Sequence, residues 1–218
     1  MKTSIIITSH NYGQYIERCL RSCLNQRWTD NTNEIIVVDD ASTDDTLRRI
    51  EKFKRFPNVH IITNRDNVGV ARAANIGIEA SVGQYVVRVD ADDYISENFI
   101  FFMRTYIEAN RDAFGVACDY LLVDEQEKRL RRAYADQEPI SCAIMYPRDL
   151  LVNAGAYNPD FRHFEEAELR KRIGDNYKLY YLHMPLYRYR MHGANKTKSQ
   201  DYQEFKSKYR ETLEIKPN

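Results

Sequence analysis

Carboxylates gather at two points of this 218-residue sequence, each directly after a short apolar run. The first group is Asp39 and Asp40, and the second is Asp90, Asp92 and Asp93. Five carboxylates brought together would repel each other unless a cation or a donor-rich ligand lay among them. Hard carboxylate oxygens suit Mg²⁺ or Mn²⁺, which usually take one or two of them and complete the shell with phosphate oxygens and water. The pattern predicts a divalent-metal site, although Asp-rich turns before helices also occur without a metal.

The elements that position these groups are indicated by residues 1–95, where short apolar runs alternate with segments of helical period. This alternation predicts parallel strands joined by right-handed helical crossovers. The predicted strands are Ser4–Thr8, Glu34–Asp39, Val59–Thr63 and Tyr85–Val89. Ligands of open α/β sheets collect at the carboxyl ends of parallel strands. The acidic groups and the polar segment that begins at Thr8 are therefore expected at one edge of the sheet.

Apolar residues three and four positions apart predict the connecting helices. The first helix lies between Tyr12 and Leu24. Ser42 is predicted to begin the second helix, because it precedes an acidic residue at the spacing of a capping box. The buried stripes of the second and third helices are Leu47, Ile50 and Phe53, and Ala71, Ala74 and Ile78.

The alternation weakens after Ser96. The elements predicted there are a helix at 97–109, a strand at 115–123, a charged hairpin, a helix at 164–172, and two short strands around Tyr180 and Tyr187. The length suits one well-buried core but not two full-sized domains, so residues 1–218 are expected to form a single domain. Its parts are a ligand-binding half at 1–95, a mixed half at 96–200, and a helix or tail at 201–218 that either docks on a partner or frays.

The composition narrows the choice of partners and compartment. Lys plus Arg and Asp plus Glu both number 32, which removes the basic excess expected of a nucleic-acid-binding protein. The four cysteines form no CxxC pair, so neither a zinc cluster nor a redox dithiol is predicted. No run reaches the ~18 apolar residues of a membrane helix, and a cytoplasmic, reduced protein is expected. Arg129, Arg131 and Arg132 are interpreted as a solvated face, with a peripheral contact at the inner face of the membrane as the alternative.

Taken in order, six short motifs closely resemble those of the family 2 inverting glycosyltransferases, which have the GT-A fold. The resemblance covers about residues 3 to 197, and its motifs are Thr8 to Asn11, Val37 to Thr46, Asn67 to Gly77, Asp90 to Asp93, Phe164 to Arg172, and Arg190 to His192. The resemblance implies a Rossmann-like, mostly parallel central sheet flanked by helices, with a smaller mixed C-terminal half that binds the acceptor. It also implies the activity, which is transfer of a sugar from a nucleotide-diphosphate sugar to a hydroxyl of a saccharide or lipid-linked saccharide. A UDP-linked donor and a role in surface polysaccharide or lipopolysaccharide synthesis are the favoured versions.

The resemblance also assigns roles at the donor site. Thr8, His10 and Asp40 match the pocket for the base, where an aspartate accepts a hydrogen bond from a uracil-like imide. The remaining positions are Asn67 and Gly69 in the adjoining loop, Arg72 and Arg190 at the diphosphate, Asp90 at the ribose and metal, and Asp92 and His192 at the metal, which would be Mn²⁺ or Mg²⁺. Asp92 is the preferred direct ligand. The loop after His192 is polar, as expected of a lid that closes over the donor.

Inversion needs one base that deprotonates the acceptor hydroxyl on the face opposite the leaving group, in a partly desolvated position that raises its pKa. Glu166 matches the family's base position. The sequence departs from the family here, since it has glutamate where aspartate is more common. Glu165 is therefore the alternative base, and both glutamates also suit the negative first turn of a helix.

Three other functions share parts of this residue pattern. A sugar-phosphate nucleotidyltransferase would use the same strand-end carboxylates, but it needs a Gly-rich basic loop that Thr8–Tyr12 does not provide. A receiver-like signalling domain would end near 120 residues. An inactive nucleotide-sugar-binding module has the same sequence features as the enzyme, and only activity data separate the two.

Overall fold

The computed structural model describes residues 2–29, 33–161, 163–193, 195, 197 and 200–209. Its strands are β1 (Thr3–Ser9), β2 (Glu34–Asp39), β3 (Val59–Thr63), β4 (Tyr85–Asp90), β5 (Tyr94–Ile95), β6 (Gly115–Val123), β7 (Arg129–Ala133), β8 (Ile144–Pro147) and β9 (Leu179–Arg190). Its helices are α1 (Gly13–Leu24), α2 (Thr46–Glu51), α3 (Val70–Ala80), α4 (Phe99–Ala109), α5 (Arg148–Asn153), α6 (Glu165–Ile173) and α7 (Gln200–Tyr209). Short 3-10 turns follow α2 at Lys52–Arg55 and α6 at Gly174–Asn176.

The first half of the sheet has the predicted parallel arrangement. Its strands lie in the order β3-β2-β1-β4, and all three pairings are parallel. Strands β1 and β2 are buried along their whole length, as continuous apolar runs covered on both faces should be. Thr8 lies opposite both Val38 and Asp90, so the carboxyl ends of β1, β2 and β4 meet at one edge.

Helices cover both faces of this half-sheet. On one face, α1 and α4 pack with Ile5 and Ile7 of β1 in one apolar core. On the other face, α3 packs against Ile6 in a second core. Gly77 lets α3 approach closely, because a Cβ at that position would collide with Ile6. Alternate residues of β1 therefore serve two cores, and the sheet is fixed from both sides.

The predicted start of the second helix at Ser42 is wrong. Helix α2 begins at Thr46, four residues later. The Ser42 hydroxyl accepts a hydrogen bond from the backbone N–H of Asn11 instead, and the Asp44 carboxylate accepts one from the N–H of Thr46. The segment between β2 and α2 is thus attached to the loop after β1, since serine and aspartate side chains compete for local backbone donors.

The opposite end of these strands is held by a buried carboxylate. Glu34 accepts hydrogen bonds from the Ser4 hydroxyl and from the N–H groups of Val82 and Gly83, and Lys2 lies 3.3 Å away. Burial raises the pKa of Glu34, but the hydrogen bonds from Ser4 and Val82 and the charge of Lys2 together hold it below its ordinary value. Glu34 is therefore an ionised connection between β1, β2 and the turn before β4.

The second half of the chain continues the same sheet in mixed orientation. Strand β8 is antiparallel to both β4 and β6, β9 is parallel to β6, and β5 pairs antiparallel with β9. The full order is β3-β2-β1-β4-β8-β6-β9-β5, and β7 pairs with β6 in the predicted charged hairpin. The fold is α/β with a mostly parallel first half and a mixed second half, as predicted. The division of residues 1–218 into parts with separate roles stays a prediction.

The prediction of two short strands around Tyr180 and Tyr187 is wrong, because β9 is one strand of 12 residues. Pro185 lies within this strand although proline has no N–H for the sheet. The structure accommodates it with irregular register, in which β9 shifts against β6 on both sides of Asp119. The predicted helices at 97–109 and 164–172 are confirmed with small shifts at their starts, as α4 and α6.

The cysteines and the hairpin arginines have the following surroundings. All four cysteines are buried and free. Within the described ranges, no helix combines the length and apolar character that crossing a bilayer requires. Of the three hairpin arginines, Arg131 pairs with Glu138 at the surface and Arg132 pairs with the fully buried Asp119. The cytoplasmic location and the membrane contact stay predictions.

Candidate active site

The carboxyl ends of the parallel strands open into a cavity of about 200 Å³. Six of the predicted site residues line it, and they lie in or directly after β1, β2 and β4 and at the start of α6: Thr8, His10, Asp40, Asp90, Asp92 and Glu165. Arg88 of β4 also lines it, and residues from the second half complete the lining, among them Cys142, Phe164, Tyr189 and Tyr202. The structure therefore brings the predicted donor-site groups and one predicted base into one space.

Asp40 organises the loop beside the predicted base pocket. Its Oδ1 accepts hydrogen bonds from the Asn64 side chain (2.8 Å) and the Val68 N–H (2.9 Å), and its Oδ2 accepts one from the Gly69 N–H (2.9 Å). Gly69 has φ +86°, a left-handed conformation that favours glycine. His10 contacts the Asp40 carbonyl oxygen through Nδ1 at 2.7 Å. Hydrogen bonds therefore connect His10, Asp40 and Gly69 directly, and their roles in binding a base stay predictions.

Two predicted donor-site residues lie at the surface. Asn67 is exposed in the loop before Gly69, and Arg72 is exposed on the first turn of α3. Neither lines the cavity in the described part of the chain. Their predicted contacts with the loop and the diphosphate stay predictions.

The carboxylates after β4 are crowded and mostly buried. Asp93 accepts hydrogen bonds from the Tyr187 hydroxyl (2.7 Å) and the Arg190 N–H (2.8 Å). Burial raises the pKa of Asp93 well above its ordinary value, and the charges of Asp92 and Asp90 raise it further. Asp92 is 8% exposed, and its Oδ2 lies 2.9 Å from Nε2 of His192. The three carboxylates therefore repel each other in a mostly buried loop.

These residues fit a divalent cation. Ligand atoms of Asp90, Asp93 and Cys142 lie within 4.8 Å of one another. Asp92, in the same loop, contacts His192, which follows β9. Burial is the larger cause of the raised pKa of Asp93, and a cation would relieve the repulsion from Asp92 and Asp90 that adds to it. The Cys142 thiol is the poorer match, because it is a soft ligand and its burial raises its pKa well above the ordinary value. The carboxylates are therefore the better donors for Mg²⁺ or Mn²⁺.

Arg190 lies behind this loop rather than in the cavity. Its guanidinium donates hydrogen bonds to the carbonyl oxygens of Asp92 and Glu125 and to the Glu127 carboxylate. The residue is 3% exposed. A contact between Arg190 and a diphosphate would require these hydrogen bonds to break, so its structural role here is to hold the loop.

Arg88 is a site residue that the sequence reasoning missed. It is 6% exposed within β4, and its Nη1 lies 2.6 Å from Oε1 of Glu165, while its Nε lies 3.0 Å from Oδ1 of Asp90. One buried cation thus connects a predicted metal-site carboxylate with a predicted base. The available signal was its position, since arginine is rarely buried and here it interrupts the apolar run of β4.

The two candidate bases at the start of α6 have different surroundings. Phe164 precedes them in a left-handed conformation (φ 60°), which is rare for a bulky residue. Glu165 lines the cavity and pairs with Arg88. Glu166 is 4% exposed, accepts a hydrogen bond from the Tyr177 hydroxyl (3.1 Å), and has a pKa raised by burial. Glu165 thus has the position of a general base, and Glu166 has the raised pKa.

Comparison with known proteins identifies the family of this chain. The family model described as glycosyl transferase family 2 matches residues 4–194. The chain belongs to this family. As a family 2 glycosyltransferase it resembles a glycosyltransferase of Haemophilus influenzae, with 38% identity over 57% of this chain and 38% of that protein. It also resembles the chondroitin synthase of Escherichia coli, with 29% identity over 71% of this chain and 23% of that protein. This chain thus spans well under half the length of these relatives.

Solved structures agree with the family. The structure of residues 1–349 of Staphylococcus aureus TarS in complex with UDP-GlcNAc matches with a TM-score of 0.78, 20% identity, and coverage of 94% of this chain and 64% of that one. A Pyrobaculum calidifontis mannosyltransferase in complex with GDP-Man and Mn²⁺ matches with a TM-score of 0.74, 16% identity, and coverage of 99% and 65%. At these identities the likeness concerns the fold, which is the predicted GT-A fold.

Proposed function

We propose that this chain transfers a sugar from a UDP-linked donor to a hydroxyl of a saccharide or lipid-linked saccharide, with inversion and with the help of a divalent metal. The observation that carries the proposal is the shared cavity, which Asp40, Asp92 and Glu165 line together. The groups proposed to bind the nucleobase, the metal and the acceptor therefore face the same cavity. Synthesis of a surface polysaccharide or lipopolysaccharide is the proposed context, supported by the likeness to a chondroitin synthase.

Binding of uracil is proposed at Asp40. An ionised carboxylate offers about four acceptor positions. Three of them already receive hydrogen bonds from Asn64, Val68 and Gly69. The remaining one, on Oδ2, is available for the imide N–H of a uracil, while Thr8 and His10 line the cavity beside it. Because Asp40 is held by three donors, it presents this acceptor without having to be ordered on binding.

The divalent metal is proposed at Asp92 and Asp90, with His192 beside them. A bound Mn²⁺ or Mg²⁺ would supply charge stabilisation of the leaving diphosphate. The likeness to a mannosyltransferase solved with Mn²⁺ supports a metal of this kind. The chain's own contribution is to hold the carboxylates, since Arg190 fixes the Asp92 carbonyl oxygen and the Asp93 carboxylate accepts the N–H of Arg190.

Glu166 is proposed as the base that removes the acceptor proton. Its burial raises its pKa, whereas the charge of Glu165 is already paired with Arg88. Its side chain would have to turn from the Tyr177 hydroxyl toward the cavity. Catalytic contacts often form only when the substrate is bound, so the geometry without substrate is compatible with this role. Glu165 would then position the acceptor or donor sugar next to it.

Calorimetric titration of UDP into the protein, with and without Mn²⁺, tests the donor site. We expect metal-dependent binding that Asp92→Asn removes, and a surface variant, Asp149→Asn, should leave it unchanged. UDP release from a panel of UDP-sugars then tests turnover, which Glu166→Gln should abolish while leaving UDP binding intact. Absence of UDP binding both with and without Mn²⁺ would refute the uridine assignment. Loss of turnover in Glu165→Gln but not in Glu166→Gln would transfer the role of base to Glu165.

A further inference from the structure

Helix α7 contributes a side chain to the cavity although it lies beyond the family match. That match ends at residue 194, and α7 covers Gln200–Tyr209. Tyr202 is nevertheless one of the residues that line the cavity, together with Phe164 and Glu165. An element that the family pattern does not include therefore forms part of the site wall.

The position of α7 is set by an aromatic cluster on the segment before α6. The Tyr202 ring lies 4.8 Å from the Phe164 ring and 5.2 Å from the His163 ring, measured between centroids. Phe205 contacts the same two rings, and Tyr209 contacts Phe161 farther from the cavity. These contacts attach α7 directly to the residue that precedes the candidate bases.

Polar contacts fix the same end of α7. Nε2 of His163 lies 2.8 Å from the Asp201 carboxylate, and the Gln203 side chain donates a hydrogen bond to the Thr197 carbonyl oxygen. Thr197 itself lines the cavity. The first turn of α7 is therefore held by polar contacts as well as by ring contacts, and Tyr202 lies in that turn.

Tyr202 shares the cavity wall with Glu165, the residue proposed above to position a sugar. Burial raises the pKa of its hydroxyl, and the negative charge of Glu165 raises it further. An aromatic ring with a polar end, placed beside carboxylates in a cavity, matches the two surfaces of a sugar ring, which are an apolar C–H face and a polar edge. The donor-side groups Asp40 and Asp92 lie in the loops after β2 and β4, whereas Tyr202 packs on Phe164 before α6, so α7 lies on the acceptor side.

We propose that Tyr202 forms the platform on which the acceptor sugar stacks, and that its ring contacts with His163 and Phe164 hold it there. The inference rests on the proposed function, because it assigns the acceptor side of the same cavity. It makes α7 an element that determines acceptor specificity. It also predicts that the ring of Tyr202 matters more than its hydroxyl.

Saturation-transfer NMR in the presence of UDP and Mg²⁺ tests this. The probes are the methyl glycosides of glucose, galactose, N-acetylglucosamine and N-acetylgalactosamine. We expect at least one glycoside to bind the wild-type protein and Tyr202→Phe, and its affinity for Tyr202→Ala to be about tenfold lower. Tyr209→Ala is the matched control, since it removes a ring from the same face of α7 away from the cavity and should retain glycoside binding.

The UDP signal separates the two levels of the proposal. Without a UDP signal the proposed function itself fails. With a UDP signal, three results overturn the role of Tyr202: no glycoside binds, Tyr202→Ala binds as well as wild type, or Tyr209→Ala loses binding equally. Stronger glycoside binding by Tyr202→Ala would also overturn it, and would show that α7 blocks the cavity.

Discussion

Removal of Arg88 should destabilise the protein much more than removal of a surface arginine with an equally short ion pair. Arg88→Met keeps most of the aliphatic stem and deletes the charge. Its partner Glu165 is buried, with a side chain 5% exposed, and would be left without its cation. Breaking a buried pair in this way costs about 3–5 kcal/mol. Asp90, with a side chain 29% exposed, adds little, because solvent screens it.

The assay is urea unfolding followed by circular dichroism at pH 7, in EDTA and without nucleotide, so that ligand binding does not contribute. Arg131→Met is the control: its pair with Glu138 is as short, but the two side chains are 51% and 47% exposed, so the loss should be ~1 kcal/mol or less. The double variant Arg88→Met with Glu165→Gln should recover part of the loss, with a coupling of about 1–3 kcal/mol. A loss below ~1 kcal/mol for Arg88→Met would refute the reasoning, since it would mean that Glu165 does not depend on Arg88.

Three further substitutions test other parts of the fold. The pKa of Glu34 is lower in the folded than in the unfolded state. Glu34 therefore contributes stability above about pH 4.3, which is lost as the pH falls through its folded-state pKa. In urea unfolding at a series of pH values from neutral to acidic, Glu34→Gln should make the free energy of unfolding fall less with pH than it does in the wild type. Gly69→Ala should cost about 1–3 kcal/mol because of its φ of +86°, and should weaken UDP binding by disturbing the loop on Asp40; unchanged calorimetric affinity would contradict this. Gly77→Ala should lower stability by about 1–3 kcal/mol in thermal unfolding through overpacking against Ile6, with UDP affinity unaffected in the folded protein.

The sequence predicted the first half of the fold well because its signals there are local. Apolar runs specify β1, β2 and β4, and residues of these strands contribute to both cores. The Ser42 prediction failed because the hydroxyl had a competing partner, the N–H of Asn11, which lies 31 positions earlier in the chain. The break predicted in β9 failed for a similar reason, since β6 accepts Pro185 through a change of register that the sequence of β9 alone does not show.

The site was predicted in outline but not in its connections. The strand-end rule and the motifs placed Asp40, Asp90 and Asp92 at one edge, and the structure puts them on one cavity. Pairing across long sequence separations could not be predicted, as in the contact of Arg88 with Glu165, 77 positions apart. The tail at 201–218 was expected to dock on a partner or fray, whereas its described part packs on the chain's own Phe164.

The order of the strands has a geometric consequence for the loop of aspartates. Strands β4 and β5 are separated in the sheet by β8, β6 and β9, which in a flat sheet would place them ~19 Å apart. The chain from Asp90 to Tyr94 spans at most ~14 Å. The sheet must therefore curl until its middle strand and its edge strand come within reach of this short connection. Deleting one residue from the loop would require a more strongly curved sheet. Inserting one would allow a flatter sheet and a change in the positions of the carboxylates, so the length of this loop limits how flat the sheet can be.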